Sequence, residues 1–277
     1  MPLMIFAVLL CLGAICNAAK HIAYGHKIPI LTKGLLDKRH RYRPRFIMYM
    51  GKICTSWDFK NLREIGGDST NSVYLAEHIS GELVVVKKFS RDARPEGIRM
   101  EEVVLNMLHH PGLPTGICAF NHAKDAVSVV MKYYEGVNMA DWLKTREGVV
   151  EANLQKIVIQ LVDVLLFLHD HAIIHNNIVL ENIIIGRELQ VRLIGFEFTR
   201  YAPDGMNLEL GDIYNMAPEK LAGSTFHNGV DWYGLGLVIY QATNKHHPFH
   251  GARSMGELKR IRPGRTMVSV QWRRLAD

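Results

Sequence analysis

The residue types that could do chemistry concentrate in one stretch, His175-Asn176-Asn177-Ile178-Val179-Leu180-Glu181-Asn182, directly ahead of the apolar triplet Ile183–Ile185. It is rich in amides. A side-chain amide such as that of Asn177 accepts a hydrogen bond through its oxygen but cannot take a proton, so this position is no general base. Two adjacent histidines, His109 and His110, suggest a metal site, yet no third ligand follows at a suitable spacing and a metal role is not expected. Thr199, Tyr201 and Tyr214 offer hydroxyls that read as unmodified loop groups.

These residues need elements to hold them. Phe59 to Ile65 reads as a strand running into a turn at Gly66-Gly67; Val73 to Glu77 is a second strand, and Glu82 to Phe89 follows the turn at Ser80-Gly81. A helix is predicted from about Glu96, where Val104, Met107 and Leu108 recur at i, i+3 and i+4 and Glu101 lies on or near that face. Ala126 to Tyr134 reads as a further strand. Leu154 to His169 carries apolar residues round most of its circumference, as the core helix of a larger unit does, and it delivers the chain to the amide-rich stretch. Beyond it, Leu189 to Ile194 reads as a short strand. Asp231 to Tyr240 is almost wholly apolar, so that helix has to be packed on all sides.

In this order, from about Trp57 to Gly251, the motifs resemble those of eukaryotic protein kinases of the Ser/Thr type. His175, Glu181 and Asn182 match the catalytic loop H-R-D-x-K-P-E-N without a gap, with Asn176 in the place of Arg, Asn177 in that of the catalytic Asp and Val179 in that of Lys. Gly195-Phe196-Glu197 stands where D-F-G is expected and keeps only the Phe. The stretch Gly66 to Val73 stands at the glycine-rich loop G-x-G-x-x-G-x-V; Gly66 and Val73 match, while Asp68 and Asn71 take the second and third glycine positions. Lys87 ends a strand similar to V-A-I-K, Glu101 takes the place of the helix-αC Glu, Met131 that of the gatekeeper, and Lys132-Tyr133-Tyr134 that of the hinge. Ala217-Pro218-Glu219 matches A-P-E, Asp231 to Tyr240 resembles D-x-W-S-L-G-V-x-x-Y, and His247-Pro248-Phe249 resembles P-P-F.

The resemblance implies an α+β, two-lobed protein-kinase-like fold: a small β-rich N-lobe with one αC helix and a larger, mainly helical C-lobe, C-terminally shortened. It implies a nucleotide site at Gly66, Val73, Lys87, Glu101, Met131 and Tyr133, with Asn182 the single matching metal ligand because Gly195 replaces the usual Asp. Phosphoryl transfer needs a positioned metal, a phosphate cradle and a group that orients the attacking hydroxyl. Asn177 withholds the acid–base group, a kind that contributes about 10²–10⁴-fold, and the Asp68 carboxylate repels phosphates. The leading expectation is therefore a pseudokinase that binds a protein, either another kinase or that kinase's substrate or regulator, in signalling or as a secreted effector. No cofactor is required on this reading, ATP being held at most with little or no Mg²⁺, which prefers carboxylate and phosphate oxygens. The alternative is a weakly active or atypical Ser/Thr protein kinase that transfers phosphate from ATP and retains Lys87, Glu101 and Asn182. Glu197 is expected to leave the strand end in another direction and not to replace the missing Asp.

At 277 residues and 48% hydrophobic content, the chain can bury one large core or two modest ones. The formal charge of +6 is concentrated in two runs, Lys33–Arg45 and Lys259–Arg274, which read as solvated tails and not as a nucleic-acid site. Leu3 to Cys16 is an unbroken apolar and small-residue run, too short to span a bilayer but suited to a secretory h-region, and Ala18-Ala19 follows. Residues 1–19 are thus expected to be a signal peptide and the protein to be secreted or in the secretory pathway. Against this, no Lys or Arg precedes the run and no Asn-x-Ser/Thr acceptor occurs; the competing readings are a cytoplasmic protein with an uncleaved apolar N-terminus, or a start at Met48 or Met50. After cleavage only Cys54 and Cys118 remain of four cysteines, too few for a disulfide framework, so they leave the redox compartment open. Residues 20–56 read as a basic N-terminal extension, 57–134 as the small lobe and 135–277 as the large lobe, with no stable membrane span and a tail after Gly251 too short for the last helices of a complete kinase.

Overall fold

A computed structural model of the chain describes residues 52–121, 126–145, 150–207, 211–249 and 257. The N-terminal part is a six-stranded sheet of β1 (Lys52–Ile53), β2 (Phe59–Gly67), β3 (Asn71–His78), β4 (Leu83–Phe89), β5 (Gly116–Asn121) and β6 (Val127–Lys132), in the order β1-β5-β6-β4-β3-β2. Strand alternation gives this sheet two apolar faces. Val84, Val86 and Val130 lie with Cys54, Phe59 and Cys118 on one; Val85, Phe89, Val129 and Met131 lie on the other, against Ile98 and Leu105 of helix α1 (Pro95–Met107). Pro95 is pre-organised for the first helical position, where its missing N–H removes no bond.

The second lobe is built on two apolar helices, α3 (Glu151–Asp170) and α5 (Gly229–Asn244), after a short strand β7 (Gly136–Asn138) and a single-turn α2 (Met139–Trp142). Ile157, Leu161, Val164, Leu165 and Leu168 of α3 are wholly buried against Ile183, Leu193 and Phe196 and against Leu235 and Val238 of α5. By length and composition α3 could cross a membrane, but that apolar stripe is the core of this lobe. Between the helices run β8 (Ile173–Ile174), β9 (Ile183–Gly186), β10 (Val191–Leu193), β11 (Arg200–Tyr201) and α4 (Pro218–Leu221), forming the small sheets β10-β9-β7 and β11-β8. This is the two-lobed α+β architecture that the motifs imply.

One boundary moves. Packed structure begins ahead of residue 57: β1 pairs in parallel with β5, Lys52 opposite Cys118 and Ile53 opposite Ala119, and Cys54 forms a disulfide with Cys118. A two-residue strand carries no periodicity, so nothing in the sequence marks it. The segments read as signal peptide and as most of the basic extension lie outside the described residues, as does the tail after residue 249 apart from Glu257.

Candidate functional site: a kinase-type cleft with rearranged charges

Sheet register brings the first candidates together. Gly66 on β2 faces Val73 on β3, and Val73 faces Lys87 on β4. The turn between β2 and β3 closes on its own carboxylate: Asp68 Oδ1 accepts from the Thr70 N–H at 2.6 Å, the Thr70 hydroxyl at 2.7 Å and the Asn71 N–H at 3.1 Å. Partial burial works against the ionised form, yet these bonds hold the Asp68 carboxyl below the usual range. Backbone N–H groups that a glycine-rich loop would aim at phosphates are thus committed to a side chain.

Lys87 Nζ donates to Glu101 Oε2 of α1 at 2.7 Å, the pairing expected from the motifs. It also donates to Glu197 Oε2 at 3.0 Å. The expectation that Glu197 points elsewhere is therefore overturned. Gly195 takes a left-handed φ of +82°, and the chain folds at once into a 3-10 turn, Phe196–Phe198, which swings Glu197 back towards α1. The three side chains are only 8%, 3% and 18% exposed. Burial alone would make the ammonium easier to deprotonate; the two carboxylates more than reverse this and hold Lys87 above the ordinary lysine range. Burial raises the Glu101 carboxyl, which Lys87 pulls back down and Glu197 pushes up again.

The amide-rich stretch rests on Asp231 at the start of α5. Asp231 Oδ2 accepts from the His175 N–H and from His169 Nε2, both at 2.9 Å, and Oδ1 accepts from the Asn176 N–H at 2.6 Å. These bonds hold its buried carboxyl below the usual range, against the cost of burial. Asn176 itself has φ +67°, a conformation that asparagine tolerates better than most residues. Its side chain accepts from Lys220 Nζ at 2.6 Å and donates to the Phe198 carbonyl at 3.3 Å. Burial pushes the Lys220 amine down to about 8, against the pull of Asp231 and Glu219. His175 is fully buried and its ring is kept neutral by burial; Nδ1 accepts from the Asn177 N–H at 3.3 Å and Nε2 donates to the Ile194 carbonyl at 3.1 Å. Asn182 Nδ2 donates to the Asn177 carbonyl at 3.0 Å, and its amide fills the space beside Gly195, where a Cβ would come within 2.5 Å of Oδ1.

The protein kinase domain family model matches residues 59–274. The chain belongs to the protein kinase family. The match extends past Gly251, where the motif resemblance ends. Among known proteins the chain is 33% identical to serine/threonine-protein kinase 1 of Heliothis zea nuclear polyhedrosis virus over 44% of the chain and 45% of the viral protein. It is 27% identical to the serine/threonine-protein kinase PAK mbt of Drosophila melanogaster, over 73% of the chain and 32% of the fly protein. With mouse serine/threonine-protein kinase Nek5 the identity is 27%, over 69% of the chain and 32% of that protein. The chain thus matches under half the length of each of these relatives.

Of the kinase cleft's expected residues, Gly66, Val73, Lys87 and Glu101 come together. Met131, at the end of β6, is a core residue packed with Val129 and Leu105, and Tyr133 is half-buried in the connection between the lobes. Beside it, the Tyr134 hydroxyl donates to Thr115 Oγ1 at 3.1 Å under the Arg192 guanidinium. Asn177 and Asn182 stay bonded to each other through backbone and amide. A magnesium–nucleotide fits this set poorly: position 195 supplies no carboxylate, while Glu101 and Glu197 are committed to Lys87. Thr199 is wholly buried and its hydroxyl donates to the His175 carbonyl at 3.1 Å, so it is a structural group. His110 Nε2 pairs with Asp163 at 3.1 Å and its Nδ1 accepts from the Gly112 N–H at 3.0 Å. Sequence reasoning gave no role to Lys220; its only signal was a cation directly after Ala217-Pro218-Glu219. A lone carboxylate at the start of an apolar helix was the signal for Asp231.

Proposed function

We propose that this kinase-fold protein works by binding another protein, a kinase or that kinase's substrate or regulator, and transfers phosphate weakly or not at all. The observation that carries the reading is the turn at Asp68. A carboxylate sits in the phosphate loop and consumes the loop's own N–H donors, so both the charge and the hydrogen bonding that would hold a nucleotide's phosphates are reversed. Asn177 and Gly195 remove the proton acceptor and the metal carboxylate in addition. The Cys54–Cys118 disulfide, together with the apolar run Leu3–Cys16, supports a secretory or extracellular site of action, since disulfides persist in oxidising compartments.

A second reading, a Ser/Thr protein kinase of unusual chemistry, is what the relatives' names favour, and the intact Lys87–Glu101 pair and the Asn182–Asn177 bond also support it. A calorimetric and thermal-shift titration of residues 20–277 with ATP, alone and with Mg²⁺ or Mn²⁺, separates the two. A saturating ligand at about 100 times its dissociation constant adds roughly 2.7 kcal/mol to stability. No response is the result expected on the binding reading; metal-dependent binding followed by phosphate transfer to a generic protein substrate would establish the second.

A further inference from the structure

Glu197 has no counterpart in the family's D-F-G pattern, and its position on Lys87 gives it a role of its own. We infer that Glu197 is a latch that excludes nucleotide: a carboxylate of the chain itself takes the place on Lys87 that a nucleotide's phosphates would need, and in doing so, through the Lys87–Glu101 pair, holds helix α1 docked with no nucleotide or metal. The inference rests on the non-catalytic reading above, in which Lys87 is withheld from nucleotide.

Lysine has three N–H donors. Glu101 and Glu197 take two of them at 2.7 and 3.0 Å. The cluster holds one ammonium and two carboxylates, so an approaching polyphosphate meets a net negative charge even before it meets Asp68. In a largely buried site such repulsion is weakly screened.

The turn that carries Glu197 is pinned on every side. Gly97 of α1 lies so close to the Glu197 backbone carbonyl that a Cβ would not fit between them. Arg200 Nη1 donates to the Thr199 carbonyl at 2.6 Å and to the Glu197 carbonyl at 3.4 Å, and the Arg94 guanidinium lies 5.7 Å from the Phe198 ring centre. Phe196 is fully buried, its ring centre 4.9 Å from that of His175, and Asn176 donates to the Phe198 carbonyl. Glu197 is therefore delivered by a fixed turn, and it is also the most exposed of the three charged groups. It is the member that a competing anion would displace, and losing it would remove a tie between the large lobe and β4, and through the Lys87–Glu101 bond a tie to α1.

The test compares the wild type with E197Q and E197A in the full chain, using a fluorescent trinitrophenyl-ATP probe without metal and hydrogen exchange over Pro95–Met107. E197Q keeps the side chain's shape and removes its charge, so the comparison stands even if E197A folds poorly. The expected result is at least tenfold tighter probe binding by E197Q, with amide exchange in α1 at least fivefold faster. D68N serves as the contrast: it relieves loop charge without touching Lys87, and should tighten the probe while leaving α1 exchange unchanged. Equal probe affinity in the wild type and E197Q would overturn the latch, as would tighter binding with α1 exchange unaltered. Phosphate transfer by the wild type would instead sink the non-catalytic reading beneath it; a silent wild type with no gain in E197Q sinks the latch alone.

Discussion

Two buried charges tie this molecule together, Lys87 in the small lobe and Asp231 beneath the amide-rich stretch His175–Asn182, and their partners are of different kinds. Asp231 is held by two backbone N–H groups of the loop that follows β8 and by a histidine of α3. Lys87 is held by two carboxylates, more negative charge than it can neutralise. Backbone N–H groups cannot leave for a ligand without rebuilding the loop that carries them; a side-chain carboxylate can turn away on its own. The large-lobe site is thus a scaffold that outlasts changes in chemistry, and the small-lobe site is where such changes fall.

The sharpest way to break the comparison is Asp231→Ala. It strands two backbone donors and His169 in the core, and should cost about 3–5 kcal/mol, read as a loss of unfolding free energy in denaturant. The acid limb carries the sign. Asp231 is held below its unfolded value near 3.8, so its contribution is present above that value and lost as pH falls through the lower folded one. The disulfide comes next. Cys54 and Cys118 are 64 residues apart, and opening that loop, by reduction or Cys118→Ser, should lower stability by about 2–4 kcal/mol. A null result would mean that strand pairing and the two apolar faces secure the small lobe without the sulfur bridge.

Restoring the missing acids is the third test. Asn177→Asp with Gly195→Asp should yield no phosphate transfer and a loss of about 1–2 kcal/mol, because residue 195 is left-handed and its new Cβ meets the Asn182 amide. Robust transfer by the double variant would show that the cleft tolerates ATP. An effect that appears only at alkaline pH is expected one residue from the Lys87 cluster. Burial pushes the Glu102 carboxyl up to about 7, above the unfolded value near 4.5, so the folded state keeps a proton that the unfolded state has lost. Stability from this group is full below the unfolded value and falls as pH rises through 7. Glu102→Gln should therefore raise stability by about 3 kcal/mol at pH 8 and leave it unchanged at pH 4, measured as melting temperature against pH.

The fold was legible because α3 and α5 are long and announce a buried helical core, and because β2 to β4 are bounded by sharp turns. The strand β1 was not, since two residues carry no period and the partners of Lys52 and Ile53 are Cys118 and Ala119, in a strand far along the chain. The site was legible where motif and geometry coincide, as at Lys87 and Glu101. It failed at Glu197 because side-chain direction there depends on a single dihedral, the left-handed φ of Gly195, which turns the chain out of the line of β10. Asp68 was read as a repulsive charge, and the structure adds that it also organises the turn it occupies. That second role depends on the Thr70 and Asn71 N–H groups, whose directions no residue pattern displays.

The disulfide also decides how the chain bears tension. A pull arriving through the residues ahead of Cys54 would cross the sulfur bridge into β5, bypassing β2, β3, β4 and α1. Lys87 and Glu101 sit inside that mechanically silent loop, so tension entering ahead of Cys54 does not run along the strands and helix that carry them.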